Sequence, residues 1–256
     1  MNLKFYKYQG TGNDFIMVDN RTKIFDVTNT ELVKFLCDRR FGIGADGFIL
    51  LEDHPDYDFQ MVYFNSDGNQ SSMCGNGGRC IVQFASDMGV IDHETSFLAI
   101  DGDHDAHIRD GLVHLKMIDV DQIETGNGFY FLNTGSPHYV QYVQNIKDFA
   151  VYDEGYKVRN NDRFRKEGTN VNFIEKEGDR LWVRTYERGV EDETYSCGTG
   201  VTASALVASL NGMTSPVPIT TLGGELSISF TKTEKGYTDI YLIGPAKQVF
   251  EGTIKI

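Results

Sequence analysis

The sequence predicts an α/β (α+β) fold of two pseudo-symmetric halves, each a curved sheet or barrel around one central helix. Three observations predict it: an internal repeat at an offset of 123 positions, a series of short strand-type segments in each half, and one long helical segment in each half. No Pro- or Ser-rich linker separates the halves. We therefore expect them to pack directly and to form an active site in the cleft between them.

The repeat is clearest around two cysteines. When SSMCGNGGRCIVQFASDMG is laid over TYSCGTGVTASALVASLNG, Cys74 falls on Cys197 and three glycines fall on glycines. The same offset carries the Thr-Gly pair at 11–12 onto the pair at 134–135. Two segments that match at one offset and in the same order indicate a duplication.

In the first half, short segments rich in β-branched and aromatic residues predict strands, and two segments predict helices. A helix is expected over 31–39, because Thr28 and Glu31 have the spacing of a capping box. A second helix is expected from Gly75 to near Gly89, a C-terminal glycine. The predicted strands cover 4–8, 15–20, 47–52, 58–64, 97–100, 106–110 and 112–117.

The second half, which begins near residue 118, repeats this pattern. Its long helix is expected from Gly198 to about Asn211, and the polar segment 153–168 is expected to be a surface loop or a short exposed helix. The predicted strands cover 129–133, 138–143, 171–176, 181–187, 218–221, 226–230, 239–243 and 249–256.

Composition limits the partners that we expect. The chain has 24 Lys and Arg against 37 Asp and Glu, a net charge of -13, which disfavours nucleic acid and anionic lipid. No apolar run approaches the roughly 20 residues that span a bilayer, and the N-terminus lacks the apolar core of a signal peptide. We therefore expect a cytoplasmic protein that binds a small molecule, with neither nucleic acid nor membrane as a partner.

Cys74 and Cys197 are the candidate catalytic residues. Each directly precedes a Gly-x-Gly that opens a predicted helix, where unpaired N–H groups and the helix dipole lower the pKa of a thiol and attract a carboxylate. Two such helix starts at one cleft would place one sulfur on each face of a substrate carbon. That arrangement suits inversion of a stereocentre, in which one sulfur removes a proton and the other donates one. The chemistry requires no cofactor or metal.

The other two cysteines are expected to be structural. Cys37 lies on the apolar face of a predicted helix, and the repeat counterpart of Cys80 is Ala203. No C-x-x-C pair is present, so we expect no structural zinc site. Asp101 to Asp105 resemble the start of a calcium loop, but the later positions of that loop are not matched.

At these residues the sequence resembles the diaminopimelate epimerase family over essentially the whole chain. The resemblance is carried by GTGNDFIMVDN, RRFGIGADG, FNSDGNQSSMCGNGGRC, TGSPH, TNVNF, ERGVEDETYSCGTG, LGGELSI and GPAKQVFEG. The family interconverts LL- and meso-diaminopimelate, a step towards lysine and peptidoglycan, and is usually homodimeric. It has two pseudo-symmetric halves, which implies an N-terminal half over 1–117, completed by a returning strand in 245–256, and a C-terminal half over 118–244.

The resemblance also implies roles for individual residues. Cys74 and Cys197 would be the two acid/base residues, and Glu187 would contact the amino group at the reacting centre. The remaining substrate-binding residues would be Gly75, Asn76, Gly198 and Thr199 at the reacting carboxylate, Asn13, Asn65, Asn170 and Arg188 at the distal amino-acid end, and His138 lining the pocket. An arginine fork suits a carboxylate, and asparagine amides suit both ends of a zwitterion.

Three positions depart from the better-known members. The loop from Glu187 to Cys197 is one residue longer, Ser136 replaces an asparagine, and Gly47 stands where some members have glutamine. Proline racemases, a related branch, carry Cys-Gly-His where this chain has Cys-Gly-Asn at 74–76. Another related isomerase branch works without cysteines, which the paired thiols argue against.

Two alternatives remain open. The chain could be an epimerase for a different amino acid, or a two-domain protein that binds a zwitterion without turnover. Taken singly, several candidates also have ordinary structural interpretations: Glu187 and Arg188 as surface residues, Asn65 in a turn, and His138 as a loop histidine.

Overall fold

The structure is a computed structural model that describes residues 2–256. Up to residue 116 it contains seven strands and two helices. They are β1 (Asn2–Gly10), β2 (Asn13–Asp19), α1 (Thr30–Cys37), β3 (Gly47–Glu52), β4 (Phe59–Asn65), α2 (Gly75–Asp87), β5 (Glu94–Ala99), β6 (Gly102–Arg109) and β7 (Leu112–Lys116).

The rest of the chain contributes ten strands, two α-helices and a short 3-10 helix at Ile146–Asp148. They are β8 (Glu124–Thr125), β9 (Tyr130–Asn133), β10 (Pro137–Tyr142), α3 (Val151–Arg159), β11 (Asn170–Glu177), β12 (Arg180–Glu187), β13 (Asp192–Thr194), α4 (Gly198–Leu210), β14 (Val217–Thr221), β15 (Gly224–Thr233), β16 (Gly236–Gly244) and β17 (Lys247–Lys255).

The chain forms two compact units. Unit 1 comprises residues 2–115 together with Pro245–Ile256, and unit 2 comprises Lys116–Gly244. In unit 1, β17 pairs antiparallel with β1, which pairs antiparallel with β2. The sheet continues through β3, β4, β5, β6 and β7; the β2–β3 and β4–β5 pairs are parallel and the others are antiparallel.

Unit 2 has the same strand order and the same sense of pairing. From β10 onwards, β10–β11 and β12–β14 are parallel, whereas β11–β12, β14–β15 and β15–β16 are antiparallel. The 123-residue offset carries α2 onto α4 at both ends and the start of β3 onto the start of β11. The predicted architecture of two repeated α/β halves is confirmed.

Each unit encloses one helix. Most of α2 is buried, and the helix contacts β1 and β17 at one end of its sheet as well as β6 near the other, so the sheet curves around it. The helix α4 is buried at Gly198 and from Gly200 to Ala208, and it contacts strands from β9 to β16. Within residues 2–256, no helix has the length and apolar character needed to cross a membrane.

The predicted helices and strands agree with the structure, apart from the cap of α1 and short elements that were not predicted, namely β8, β13 and the 3-10 helix. Each predicted strand coincides with an observed one, and Gly89, at φ 68°, ends α2 as expected. The proposed capping box is wrong: the side chain of Asn29 caps α1 by accepting from Leu32 N, while Thr28 hydrogen-bonds Asp26. Segment 153–168 contains most of α3 followed by turns.

Two leucines on α4 test the enclosure of that helix. Leu206 is 0% exposed and Leu210 is 43% exposed. Replacing Leu206 with alanine should lower the free energy of unfolding by about 2–5 kcal/mol, because it leaves a cavity in the core. Leu210→Ala, the matched control on the same helix, should change it by less than about 0.5 kcal/mol. Urea denaturation measures both, and equal effects would contradict this arrangement.

Candidate functional site

In unit 1 the site is built around Cys74, the N-cap residue of α2. Its backbone is extended, with φ -98° and ψ 145°, and its Sγ accepts a hydrogen bond from Gly77 N at 3.2 Å. The sulfur therefore takes the place that a Ser or Asp oxygen usually occupies at a helix start. An N–H donor at this position stabilises the thiolate form of a cysteine.

The third residue after each candidate cysteine is a glycine that packs closely against the sulfur. A Cβ on Gly77 would lie 3.2 Å from Cys74 Sγ. A Cβ on Gly200, the repeat counterpart, would lie 3.3 Å from Cys197 Sγ and only 2.4 Å from the amide oxygen of Asn172. A side chain is thus crowded at Gly77 and has no room at Gly200.

The side-chain amide of Asn13 is oriented towards the Cys74 sulfur. The Oδ1 atom of Asn13 lies 4.0 Å from Cys74 Sγ and accepts from Asn76 Nδ2 at 3.3 Å. The other end of the Asn13 amide donates to Asp46 Oδ2 at 2.7 Å. These partners fix the amide with its oxygen facing the thiol.

Asp46 belongs to a balanced charge cluster. Arg39 donates to both carboxylate oxygens of Asp14, at 2.7 and 3.0 Å, and to Asp46 at 2.6 Å. Lys7 Nζ lies 2.7 Å from Asp14. Burial alone would raise the pKa of Asp14, but the hydrogen bonds from Arg39 and Lys7 outweigh it and hold that pKa well below its usual range. Two cations thus face two anions behind Asn13.

Arg79, one turn into α2, is fully buried. Its guanidinium donates to Gly75 O at 3.2 Å, to Thr11 Oγ1 at 3.0 Å and to Asn76 Oδ1 at 3.0 Å. Among the described residues, its Nε has no hydrogen-bond partner. Burial lowers the pKa of Arg79 to about 10, so the group is still charged at neutral pH.

Asn65 lies at the end of β4, opposite Gly47 in the strand pairing. Its backbone N donates to Asn69 O at 2.9 Å and its carbonyl accepts from Gly68 N at 3.0 Å. Asn65 therefore sits at a turn. Among the hydrogen bonds described for residues 2–256, none joins Asn65 to Asn13 or Cys74.

In unit 2, Cys197 is the N-cap residue of α4 and is 8% exposed. Its Sγ lies 3.5 Å from Thr199 Oγ1. Thr134 Oγ1 donates to the carbonyl of Thr199 at 2.8 Å, as its counterpart Thr11 contacts the Asn76 side chain in unit 1 at 3.4 Å. The repeated Thr-Gly pair therefore meets the start of the enclosed helix in both units.

His138 is buried in β10, opposite Asn170 of β11, so the interpretation of a loop histidine is wrong. The amide of Asn172 accepts from Thr185 Oγ1 at 2.9 Å, and its Nδ2 lies 3.0 Å from His138 Nδ1. Because Nδ2 donates, the ring proton is on Nε2, a buried atom without a hydrogen-bond partner in the described chain. Burial, aided by the charge of Arg188, lowers the pKa of His138 to about 3.

Asn170 connects another substrate-binding candidate, Arg188, to Ser136, one of the departures noted above. Its Nδ2 donates to Ser136 Oγ at 2.8 Å and to Pro137 O at 3.2 Å. Its Oδ1 accepts from Arg188 N at 2.9 Å. Glu187, at the end of β12, accepts from Thr194 Oγ1 at 2.9 Å. Ser136 thus supports the Asn170 amide, which in turn holds the backbone of Arg188.

The longer loop after Glu187 is held by Glu191, a residue in the left-handed region at φ 58°. Its carboxylate accepts from Gly189 N at 3.1 Å and from Arg159 Nε at 3.2 Å. It also accepts from the Tyr186 hydroxyl at 3.3 Å. The extra length therefore brings its own anchor and keeps Arg188 on an ordered turn.

The structure gathers the candidates within each unit. In unit 1 it brings together Asn13, Cys74 and Asn76, with Gly75 beside them, while Asn65 stands at its separate turn. In unit 2, Gly198 and Thr199 adjoin Cys197 at the start of α4. His138, Asn170, Glu187 and Arg188 lie on the neighbouring strands and turn. Within residues 2–256, no group of three or more His, Cys, Asp or Glu side chains is arranged to hold a metal ion.

Four residues that position this site were not predicted from the sequence. Arg79 stands inside the CGNGGRC motif, so its place four residues after Gly75 was a visible indication. Asn172 lies two residues after Asn170, on the same face of β11. Asp46 and Glu191 lie inside the quoted stretches RRFGIGADG and ERGVEDETYSCGTG, but nothing in the spacing there indicates the contacts that they make.

Comparison with known proteins gives matches along nearly the whole chain. The model of the family "Diaminopimelate epimerase" matches residues 5–126 and 130–249. A diaminopimelate epimerase of Flavobacterium psychrophilum is 52% identical over 256 residues, covering 98% of this chain and 100% of the relative. Those of Chlorobaculum tepidum and Aquifex aeolicus are 42% and 38% identical, covering 96% and 98% of this chain and 99% and 98% of the relatives.

Solved structures share the fold at low identity. A phenazine biosynthesis protein of the PhzF family from Bacillus anthracis has a TM-score of 0.77 at 12% identity, with both chains fully covered. A hydroxyproline epimerase from Agrobacterium vitis has a TM-score of 0.67 at 14% identity, covering 99% of this chain and 92% of that one.

The burial of His138 predicts its behaviour with pH. Its ring resonances should stay constant in NMR spectra between pH 5 and 8, because its folded-state pKa lies near 3. A histidine in the unfolded chain has its ordinary pKa of about 6.5. The contribution of this group to stability is therefore present above that value and lost as the pH falls towards 3, since only the unfolded chain binds the proton. A titration midpoint between pH 5 and 8 would contradict the assigned environment.

The anchoring of the long loop by Glu191 is testable through hydrogen exchange. Glu191→Gln replaces charge-assisted hydrogen bonds with neutral ones, so the amide of Gly189 should exchange about threefold to tenfold faster. Glu177→Gln, which changes a carboxylate that accepts from Trp182 Nε1, is the matched control and should leave that rate unchanged. An unchanged rate in Glu191→Gln would mean that the loop is held by other contacts.

Proposed function

The chain belongs to the diaminopimelate epimerase family and is an isomerase, and from this premise we propose that it interconverts LL-2,6-diaminopimelate and meso-diaminopimelate by a two-base mechanism. The observation that carries the proposal is the pair of cysteines, Cys74 and Cys197, at corresponding starts of two enclosed helices. The paired amides and the arginine around them suit the two zwitterionic ends of such a substrate.

The proposed reaction consists of two proton transfers. The thiolate of one cysteine takes the proton from the substrate Cα; the C–H bond breaks, an S–H bond forms, and the electron pair is delocalised into the adjacent carboxylate. The thiol of the other cysteine gives its proton to the opposite face of Cα and becomes the thiolate. The mechanism requires the two sulfurs to serve opposite faces of one carbon, and it returns the enzyme with its proton on the other cysteine.

The helix starts supply the stabilisation that this carbanion needs. The backbone N–H groups at Gly75 and Asn76, and those at Gly198 and Thr199, lie in the first turns of α2 and α4, where they lack intrahelical acceptors. We propose that they bind the carboxylate at the reacting centre. Dipoles that are fixed before the reaction favour negative charge moving into that carboxylate.

The remaining candidates are proposed to select the substrate. Glu187 would bind the amino group at the reacting centre, and Arg188 would bind the distal carboxylate. Asn13, Asn65 and Asn170 would hold the distal amino-acid end. A neutral His138 can present its Nε2 proton as a hydrogen-bond donor without adding charge to the pocket.

We further propose that the enzyme acts without a cofactor, because two thiols account for both proton transfers. Its place would be in the cytoplasm, in lysine and peptidoglycan biosynthesis, and its quaternary structure a homodimer. The location, the pathway and the quaternary structure are proposed from the family.

Single cysteine replacements test the mechanism. Cys74→Ala and Cys197→Ala should each lower epimerisation of LL-diaminopimelate by at least about 10²–10⁴-fold, since each removes one acid/base group. The buried Cys37 is the matched control, and Cys37→Ala should retain activity. Incorporation of deuterium from D₂O at Cα, followed by NMR, measures the reaction.

Two results would overturn the proposal. If the native protein exchanges no Cα proton of diaminopimelate but does exchange that of another amino acid, the substrate is wrong. If it binds diaminopimelate without any exchange, the protein is a binding protein and the two-base mechanism is wrong.

A further inference from the structure

Arg79 carries a charge that its own hydrogen bonds do not neutralise. Its acceptors are a backbone carbonyl, a threonine hydroxyl and the amide oxygen of Asn76, all of them neutral. Burial of a cation without a carboxylate is costly. Burial lowers the pKa of Arg79 only to about 10, so the positive charge persists at neutral pH at the start of α2, where it adds to the positive end of the helix dipole.

Several other charged groups around α2 have partners of their own. On β1, β2 and the segment before β3, Lys7 and Arg39 face Asp14 and Asp46, two cations against two anions. At the opposite end of the helix, Asp87 accepts from the Tyr8 hydroxyl.

A further acid, Asp101, contacts the residue that precedes the N-cap of the helix. Asp101 accepts from Met73 N at 3.1 Å and lies 3.5 Å from His104 Nε2 of β6. These groups do not compensate Arg79, because none of its hydrogen bonds reaches them. Two thiols adjoin Arg79, those of Cys80 and Cys74. Burial raises the pKa of Cys80, so Cys74 is the one on which a negative charge forms near neutral pH.

The corresponding helix in unit 2 has no such charge. The 123-residue offset places Thr202 at the position of Arg79, and Thr202 Oγ1 donates to Gly198 O at 2.9 Å. Arg79 makes the same bond to Gly75 O, the counterpart of that carbonyl. The carbonyl is thus satisfied in both units, but by a cation in one and by a neutral hydroxyl in the other.

We propose that Arg79 is a positioning residue that holds the resting negative charge on Cys74 rather than on Cys197. The Gly77 N–H, which donates to Cys74 Sγ at 3.2 Å, acts in the same direction. The Asn13 oxygen opposes it, but from 4.0 Å and without a full charge. A cation in a medium of low dielectric constant acts over a longer range than either dipole.

The consequence for catalysis rests on the proposed function. In the resting enzyme, Cys74 has released its proton to solvent and Cys197 keeps its own. The enzyme in this state is ready for the substrate isomer whose Cα proton faces Cys74. The other isomer requires the proton to be on Cys74 and the charge on Cys197, a form that Arg79 disfavours.

The pH dependence of alkylation tests the inference without any substrate. Iodoacetamide reacts with thiolates, so its rate reports the ionisation of one cysteine in Cys197→Ala and of the other in Cys74→Ala. Burial raises the pKa of Cys37 to about 12 and also raises the pKa of Cys80, so neither contributes near neutral pH. With Arg79 intact, Cys74 should reach half its maximal rate at a lower pH than Cys197.

Arg79→Met, which keeps an unbranched side chain but removes its charge, should slow alkylation of Cys74 at pH 7 by about tenfold or more. It should leave Cys197 within about twofold. Arg79→Lys, which retains a cation, should lie nearer to the native protein. A merely structural role would slow or accelerate both cysteines together, or neither.

Three outcomes would overturn the inference: equal profiles of the two cysteines with Arg79 intact, a lower midpoint for Cys197, or an unchanged Cys74 in folded Arg79→Met. If Arg79→Met does not fold, the pH profiles of Cys197→Ala and Cys74→Ala, both with Arg79 intact, still test whether Cys74 ionises at the lower pH. Because no substrate is used, these results are independent of whether the protein epimerises diaminopimelate.

Discussion

The site depends on one constraint: a cysteine sulfur must rest against the open N-terminus of a helix that is buried on nearly every side. The sulfur accepts from Gly77 N in unit 1. A Cβ at Gly77 would be crowded against that sulfur, and a Cβ at Gly200 would collide with the Asn172 amide. The sheets curve because they enclose these helices. The polar groups nearby then have to be satisfied by one another, which produces the fixed amides of Asn13 and Asn172.

The features that the sequence predicted are those governed by short-range pattern. Alternation and β-branched composition located the strands, and the repeat located α2 and α4 with both cysteines at their starts. The features that it did not predict depend on which face of an element becomes buried. Arg79 looks like any polar helix residue until the sheet closes around it. Asn29 was missed as the cap of α1 because Thr28 and Glu31, three residues apart, have the spacing of a capping box.

The substrate-binding candidates differ in how far the protein itself already uses them. Both ends of the Asn170 amide are engaged, with Ser136 and Pro137 on one side and the backbone of Arg188 on the other. The Asn170 amide thus supports the turn that carries Arg188, in addition to its proposed contact with the substrate. The guanidinium of Arg188 donates to Glu167 O at 3.1 Å through one nitrogen, which leaves most of its fork for a carboxylate.

The pairing of β17 with β1 has a consequence for the order in which the chain folds on the ribosome. Unit 2 is contiguous, so all of its strands are available once residue 244 has emerged. Unit 1 lacks the strand that pairs with β1 until β17 has been synthesised. Until then Lys4 and Phe5 cannot pair with Thr253 and Gly252. During translation the strands of unit 2 are therefore all present before those of unit 1, although most of unit 1 is synthesised first.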